Sequence, residues 1–201
     1  MIRTMLDNLK GYKIVLASNS PRRRELLGSL GIDFKVFTLA DIDESYPPGL
    51  GAKQTAEYIS AKKASAYMAE INPDVLLITA DTVVSIDDDI LGKPSSEADA
   101  CKMLRMLSGR THEVITGVSI VLGGKCNTFS AVSRVTFDHI TDEEISYYVE
   151  NFRPMDKAGA YGIQEWIGMV AVKGIEGSYF NVMGLPVQRL YRELGKIKPI
   201  D

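Results

Sequence analysis

Asp81 is the first residue that needs a reason. It lies inside "LLITADTVV", an otherwise apolar run with strand character, where a carboxylate is costly unless it is paired, hydrogen-bonded or bound to a metal. Two readings are open. It is a structural buried acid, or it is a base or metal ligand at a strand end, where α/β proteins tend to place ligand sites. Lys93 follows in "LGKP", held between Gly92 and Pro94. It is either a solvated turn lysine or one brought back over the Asp81 site. Upstream, "LASNSPRRRELLGSLG" sets Ser18, Ser20, Arg22, Arg23 and Arg24 where an apolar run gives way to a helix start. Free backbone N–H groups and the positive end of the helix dipole favour an anion there, and the arginine forks suit phosphate oxygens. The alternative is an N-capped surface helix with solvated arginines, since no glycine-rich loop or Walker lysine is present. A third stretch, "DKAGAYGIQEWIG", has small residues that admit close backbone approach. Gln164 in it offers a donor and an acceptor for a base edge. Trp166, the only tryptophan, either stacks on a ring or packs in a core or interface.

The elements that must position these residues follow from local patterning. "YKIVLA" predicts a buried strand, ended by "SNSP". Ser20 is a good N-cap, with Pro21 in the first helical position. "DFKVFTL" predicts a second strand, and "DIDESYPPGLGAK" is the most loop-like segment. A long helix is expected from about Gln54 to Ile71, ended by Asn72-Pro73. "DVLLITADTVVSID" is the strongest strand signal, with Asp87, Asp88 and Asp89 turning after it. "SSEADACKMLRMLSG" and "TDEEISYYVEN" predict capped helices. "THEVITGVSIVLG" and "CNTFSAVSRVTF" predict a hairpin around Gly123, Gly124 and Lys125. "MVAVKGI" reads as a late strand, "GSYFNVMGLP" as a tight loop, and a final helix runs to about Leu194. Helix–strand alternation interrupted by a hairpin implies an α/β protein with a mixed central sheet and flanking helices.

Composition removes several function classes. The 201 residues carry a formal net charge of −3, which provides no broad basic field for nucleic acid and no coating for a membrane surface. The arginine cluster therefore needs a local explanation. Runs such as "VLLITA" are too short to span a bilayer, and no stretch reads as a signal peptide, so a cytoplasmic location is the expectation. Cys101 and Cys126 lack metal-ligand spacing and are expected to be buried reduced thiols. His112 and His139 have no acidic or nucleophilic neighbour at motif spacing and read as structural.

The motifs "SNSPRRRELL", "DE" at Asp43-Glu44, "KKA" at Lys62 to Ala64, "ADTVV", "GKP", "DKAGAYGIQ" and "GSYFNVMGLP" occur in one order from Ser18 to Pro186. With these the chain resembles the Maf family of nucleoside triphosphate pyrophosphatases. The resemblance implies a single domain over 1–201, elongated and two-lobed like the inosine triphosphatases, with a deep active-site cleft, and a homodimer. It implies hydrolysis of a nucleoside triphosphate between the α and β phosphates with a divalent cation, Mg²⁺, Mn²⁺ or Co²⁺. "ADT" and "GIQ" resemble the branch acting on dTTP and UTP, whose specificity positions correspond to Arg22, Thr82 and Gln164.

On that resemblance, Ser18, Arg22, Arg23, Lys63 and Lys93 would neutralise the triphosphate and the departing pyrophosphate. Glu44 and Asp81 would hold the cation, and Asp81 would also accept the proton of the attacking water. Gln164 would read the pyrimidine edge, with Thr82 lining the base pocket. Arg24 falls at a variable position and reads as a surface residue. Asn19 replaces a common glycine, and Glu165-Trp166 follows Gln164 where a glycine is common, which is expected to alter the pocket rim. Rival expectations are an inosine or xanthosine triphosphate pyrophosphatase, and a nucleotide-binding regulator of division without turnover.

Overall fold

The computed structural model describes residues 5–200, so the expected domain limits at 1 and 201 lie outside the described residues. In chain order the elements are β1 (Lys13–Leu16), α1 (Pro21–Gly28), β2 (Lys35–Val36), α2 (Ala52–Met68), β3 (Val75–Ile86), β4 (Asp89–Leu91) and α3 (Glu97–Leu107). They continue with β5 (Thr111–Leu122), β6 (Lys125–Phe137), α4 (Asp142–Phe152), α5 (Trp166–Ala171), β7 (Val172–Glu176), α6 (Tyr179–Met183) and α7 (Val187–Leu194). Among the described residues the strands make one seven-stranded sheet in the order β2-β1-β3-β5-β6-β7, with β4 added to β3. β1 is parallel to both β2 and β3, while β3–β4 and β6–β7 are antiparallel. The mixed sheet expected from the sequence is present.

Local chemistry accounts for the ends of these elements. Ser20 Oγ accepts the Arg23 N–H at 3.4 Å and Pro21 opens α1, as an N-cap followed by proline should. Thr141 and Glu144 form a reciprocal capping box on α4, at 3.2 and 2.8 Å. Gly123 and Gly124 both take positive φ between β5 and β6, the requirement of a two-residue hairpin turn with the right twist.

The chain divides into two compact units. One holds the residues up to Asp81, with Thr116–Ala131 and everything from Gly184 onward. Ala17, Ala64, Tyr67, Leu77 and Val121 form a core cluster within it. The other holds Thr82–Ile115 and Val132–Met183, around a larger core that includes Leu104, Phe137, Tyr148, Ile163 and Ile167.

Several expected elements differ. "DFKVFTL" contributes only the two-residue β2. The long helix occupies Ala52–Met68 instead of Gln54 to Ile71. Asp89 begins β4, leaving Asp87 and Asp88 as the turn. "MVAVKGI" splits, because Met169 to Ala171 close α5 and only Val172 starts a strand. "GSYFNVMGLP" contains α6. The cysteines are free but not buried: Cys101 is half-buried and Cys126 exposed.

His112 is structural, as its sequence context suggested. It is 1% exposed, its Nε2 meets the Tyr161 hydroxyl at 2.7 Å, and it packs edge-on against Phe137 and Tyr161. Its Nδ1 is buried without a hydrogen-bond partner. Burial pushes the imidazole down from 6.5 to about 4, so the unfolded chain takes up a proton first as pH falls. This contribution to stability is complete above pH 6.5 and is lost toward pH 4, at a slope of about 1.4 kcal/mol per pH unit. Urea denaturation at a series of pH values should show that slope shrinking in His112→Gln; an unchanged slope would assign it to the carboxylates.

Candidate active site

β3 is much longer than its parallel neighbour β1, which pairs only with Val75 to Ile78. The ladder ends with the Ala17 N–H donating to the Ile78 carbonyl at 2.9 Å. Beyond that point the loop Ala17–Ser20 leaves β1 and β3 continues alone on that side. Ser18 is buried in this loop, its Oγ accepting the Ser20 N–H at 3.2 Å. Asp81 is thus in the middle of β3 and not at its end, a correction to the sequence reading. It lies just past the carboxyl end of β1.

Asp81 is 8% exposed, and its Oδ1 receives the Lys63 ammonium at 2.7 Å. The same Nζ lies 2.9 Å from Glu44 Oε1. One lysine therefore carries two carboxylates. Its position is set by the packing of α2 on the sheet. The Thr79 hydroxyl donates to the Ser60 carbonyl at 2.8 Å, and the Ser60 hydroxyl meets that of Ser119 at 2.8 Å. Ser60 precedes Lys63 by one helical turn, and Thr79 precedes Asp81 by one strand repeat, so the same two elements bring each pair into contact. A Cβ on Gly117 would sit 2.3 Å from the Ala56 carbonyl oxygen. Only glycine lets β5 and α2 approach so closely.

The arginines separate into different environments. Arg23 turns inward, its Nε donating to the Gly184 carbonyl and its Nη1 to the Ala80 carbonyl, both at 2.8 Å. Burial lowers its pKa, Asp81 opposes that change, Arg22 adds to it and Glu44 opposes it. Arg22, Arg23, Asp81 and Glu44 thus share one electrostatic neighbourhood. Arg24 is exposed, with a long 3.5 Å contact from Nε to the Ser18 carbonyl, in keeping with a surface role.

Lys62 was quoted in the sequence without a role. Its Nζ donates to Asp43 Oδ2 at 2.7 Å, to the Ser45 carbonyl at 2.8 Å and to Ser45 Oγ at 3.0 Å. Asp43 also accepts the Ser45 N–H at 2.8 Å. The residues on both sides of Glu44 are thereby tied to α2, and Lys62 holds the Asp43 carboxyl well below the usual carboxylate range. The signal was readable in principle, since Asp-x-Ser is an Asx-turn pattern.

In the other unit, Thr82 is half-buried beside Asp81 on β3, and Lys93 is exposed in the bend after β4. Gln164 is exposed, and the Glu165 N–H closes a turn beneath it on the Gly162 carbonyl at 3.0 Å. The Glu165 carboxylate accepts the Tyr148 hydroxyl and lies 3.2 Å from Lys157 Nζ. Trp166 packs edge-on against Tyr147.

The residues fit a divalent cation. Glu44 and Asp81 both reach a single ammonium, so their oxygens can serve a single hard cation. No group of three or more His, Cys, Asp or Glu converges among the described residues. Two carboxylates, with water and phosphate oxygens completing the shell, are the usual provision for Mg²⁺.

The chain is similar to known proteins over most of its length. A family model described as Maf-like protein matches residues 13–197. A dTTP/UTP pyrophosphatase of Phocaeicola vulgatus is 58% identical over 96% of this chain and 100% of its own length. One from Porphyromonas gingivalis is 56% identical over 94% of this chain and 96% of its own. Among solved structures, the Staphylococcus aureus Ham1 protein superposes with a TM-score of 0.52 at 17% identity, covering 90% of this chain and 99% of that one. That last likeness concerns the fold alone.

Arg23 holds two backbone carbonyls with a planar fork that lysine cannot reproduce. Arg23→Lys keeps the charge and should still cost about 1.5–3 kcal/mol of stability, the worth of charged hydrogen bonds to buried carbonyls. A urea midpoint unchanged from wild type would show that the two contacts contribute nothing to folding.

Proposed function

The chain belongs to the Maf-like protein family, and from that premise we propose that it hydrolyses dTTP and UTP to the nucleoside monophosphate and pyrophosphate. The observation that carries this reading is the pairing of Asp81 and Glu44 through Lys63, in a chain 58% identical over 96% of its length to a dTTP/UTP pyrophosphatase.

On this reading each residue has a task. Asp81 accepts the proton of the attacking water, from a carboxylate held in place by Lys63. The bond between the α and β phosphates breaks, and the pyrophosphate carries away the negative charge that develops. Arg22, Lys63 and Lys93 meet that charge, and Ser18 offers a hydroxyl to phosphate. Arg23 contributes its charge from a position fixed by the Ala80 and Gly184 carbonyls. Glu44 and Asp81 would hold Mg²⁺, Mn²⁺ or Co²⁺, which when bound would offset phosphate charge and make water more acidic. Gln164 reads the pyrimidine edge, and Thr82 lines the base pocket. The protein is read as a cytoplasmic homodimer acting on free nucleotides, with neither nucleic acid nor membrane as partner.

Pyrophosphate release from a panel of nucleoside triphosphates is the test. Selective turnover of dTTP and UTP is expected, abolished by EDTA and restored by Mg²⁺ or Mn²⁺. Asp81→Asn should reduce kcat by about 10²–10⁴-fold, the range for losing a positioned base, with nucleotide binding retained. Preference for inosine triphosphate would keep the chemistry and remove the assigned substrates, while tight binding without turnover would replace the enzyme with a regulator.

Gln164→Ala should lower kcat/KM for UTP by about 10–100-fold through loss of a hydrogen-bonded base contact, with little effect on thermal stability because the side chain is exposed. An unaltered substrate profile would remove Gln164 from base recognition.

A further inference from the structure

Gln164 is carried on a turn that is held with unusual firmness from below. The Glu165 N–H bonds the Gly162 carbonyl at 3.0 Å, so Gly162 to Glu165 form a β-turn with Ile163 and Gln164 at its centre. Ile163 points into the core, 6% exposed, while Gln164 is exposed. Both ends of the turn converge on one hydroxyl: Tyr148 OH accepts the Gly162 N–H at 3.0 Å and donates to the Glu165 carboxylate. Tyr148 itself is fully buried on α4 and stacked on Phe152.

A second constraint comes from Lys157. Its side chain is 9% exposed and its Nζ lies 3.2 Å from Glu165 Oε1 and 2.6 Å from Asp156 Oδ1. A side chain would disturb the turn at two points, by displacing the Glu165 carboxylate or by striking the Ile163 backbone. A Cβ on Gly162 would stand 2.7 Å from the Glu165 carboxyl carbon, and one on Gly168 would stand 1.9 Å from the Ile163 carbonyl oxygen. The Gly168 N–H also bonds the Glu165 carbonyl at 3.0 Å, so Glu165 ends the turn and starts α5 in a single residue.

Such bracing has a consequence for recognition. Uracil and guanine present the same hydrogen-bonding pair, a carbonyl beside a ring N–H, and a glutamine amide can serve either. What separates them is how far that edge stands from the sugar. An amide on a loose turn could follow either edge, whereas one on a fixed turn serves a single distance.

We propose that Tyr148, Glu165 and Lys157 are positioning residues for nucleobase selectivity, fixing the Gly162–Glu165 turn so that Gln164 accepts a pyrimidine edge and rejects the same edge on a purine. This rests on the reading of Gln164 as the base-contacting side chain. None of the three need touch the nucleotide.

The experiment compares kcat/KM for UTP and GTP in wild type, Tyr148→Phe, Glu165→Gln and Gln164→Ala. Tyr148→Phe keeps the ring and removes the shared hydroxyl; Glu165→Gln keeps the shape and removes the charge, and decides the matter alone should the first variant not fold. In both, the UTP to GTP ratio should fall about tenfold, mainly through a higher KM for UTP with a smaller change in kcat. Val149→Ala, which loosens the same core and leaves the hydrogen bonds of the turn in place, should lower the melting temperature and leave the ratio alone. An equal fall in Val149→Ala would reduce the effect to general loosening and overturn the proposal. A ratio altered by Gln164→Ala but by neither Tyr148→Phe nor Glu165→Gln would overturn the bracing and keep the base reading. A ratio indifferent to Gln164→Ala would remove both.

Discussion

A carboxylate set inside an apolar strand obliges the fold to keep a cation against it. Removing one partner of a buried ion pair is far more damaging than never having built it, so the delivery of Lys63 to Asp81 is the constraint from which much of the first unit follows. The lysine must come from outside the sheet, on a helix that cannot slide. Burying an apolar helix face does not by itself fix its register, because neighbouring positions along a smooth surface differ little in energy. Directional contacts do. The bonds from Thr79 to the Ser60 carbonyl and between the Ser60 and Ser119 hydroxyls would be broken by a shift of one residue, leaving buried hydroxyls unpaired at about 1–3 kcal/mol each. Ser119 also meets Thr128 at 2.8 Å, and Ser130 donates to Glu57 at 2.6 Å. α2 is therefore pinned to β3, β5 and β6 by polar contacts in a region that an all-apolar seam would have left free to slip.

The same economy appears at the start of α1. A helix N-terminus with three arginines suggests a surface dedicated to anions, but the residues divide the work. Arg23 spends two of its donors on main-chain carbonyls, one preceding Asp81 and one at Gly184, and so joins the helix start, the acid's strand and the chain near its end. Its guanidinium charge remains beside Asp81 and Glu44. Arginine suits this double duty because its fork can bind carbonyls while its delocalised charge acts over several ångströms.

How much of this the residues announced depends on range. Ends of elements with local chemistry were legible: the Ser20 and Thr141 caps, the Gly123-Gly124 hairpin and the apolar run of β3. Where tertiary packing decides, the reading failed. Met169 to Ala171 read as strand and still close α5, because the helix start is set by Glu165, whose own place is set by Tyr148 on α4. "DFKVFTL" alternates like a strand, yet β1 extends only four residues and offers it a partner for two. For the site, residue types were legible and their partners were not. Asp81 and Lys63 were both singled out, but nothing in the spacing of either said that they meet. Tyr148 gave no signal at all, since a tyrosine on an amphipathic helix face ordinarily reads as core.

Charge balance links the site to its proposed reaction. In the first unit Lys63, Arg22 and Arg23 outnumber Glu44 and Asp81 by one positive charge, and the ammonium already occupies the place where both carboxylates converge. A bare divalent cation entering there would add positive charge to a cluster that is positive already, in surroundings where burial weakens screening. A nucleoside triphosphate carries more negative charge than one divalent cation cancels, so the two arriving together bring a net negative charge to a net positive site. On the proposed reading, nucleotide supplies what the carboxylate pair lacks, both in charge and in ligand oxygens. Two acids are then enough, and a third would weaken the hold on the triphosphate. On that reading, two carboxylates around a lysine would hold a cation that comes with the nucleotide.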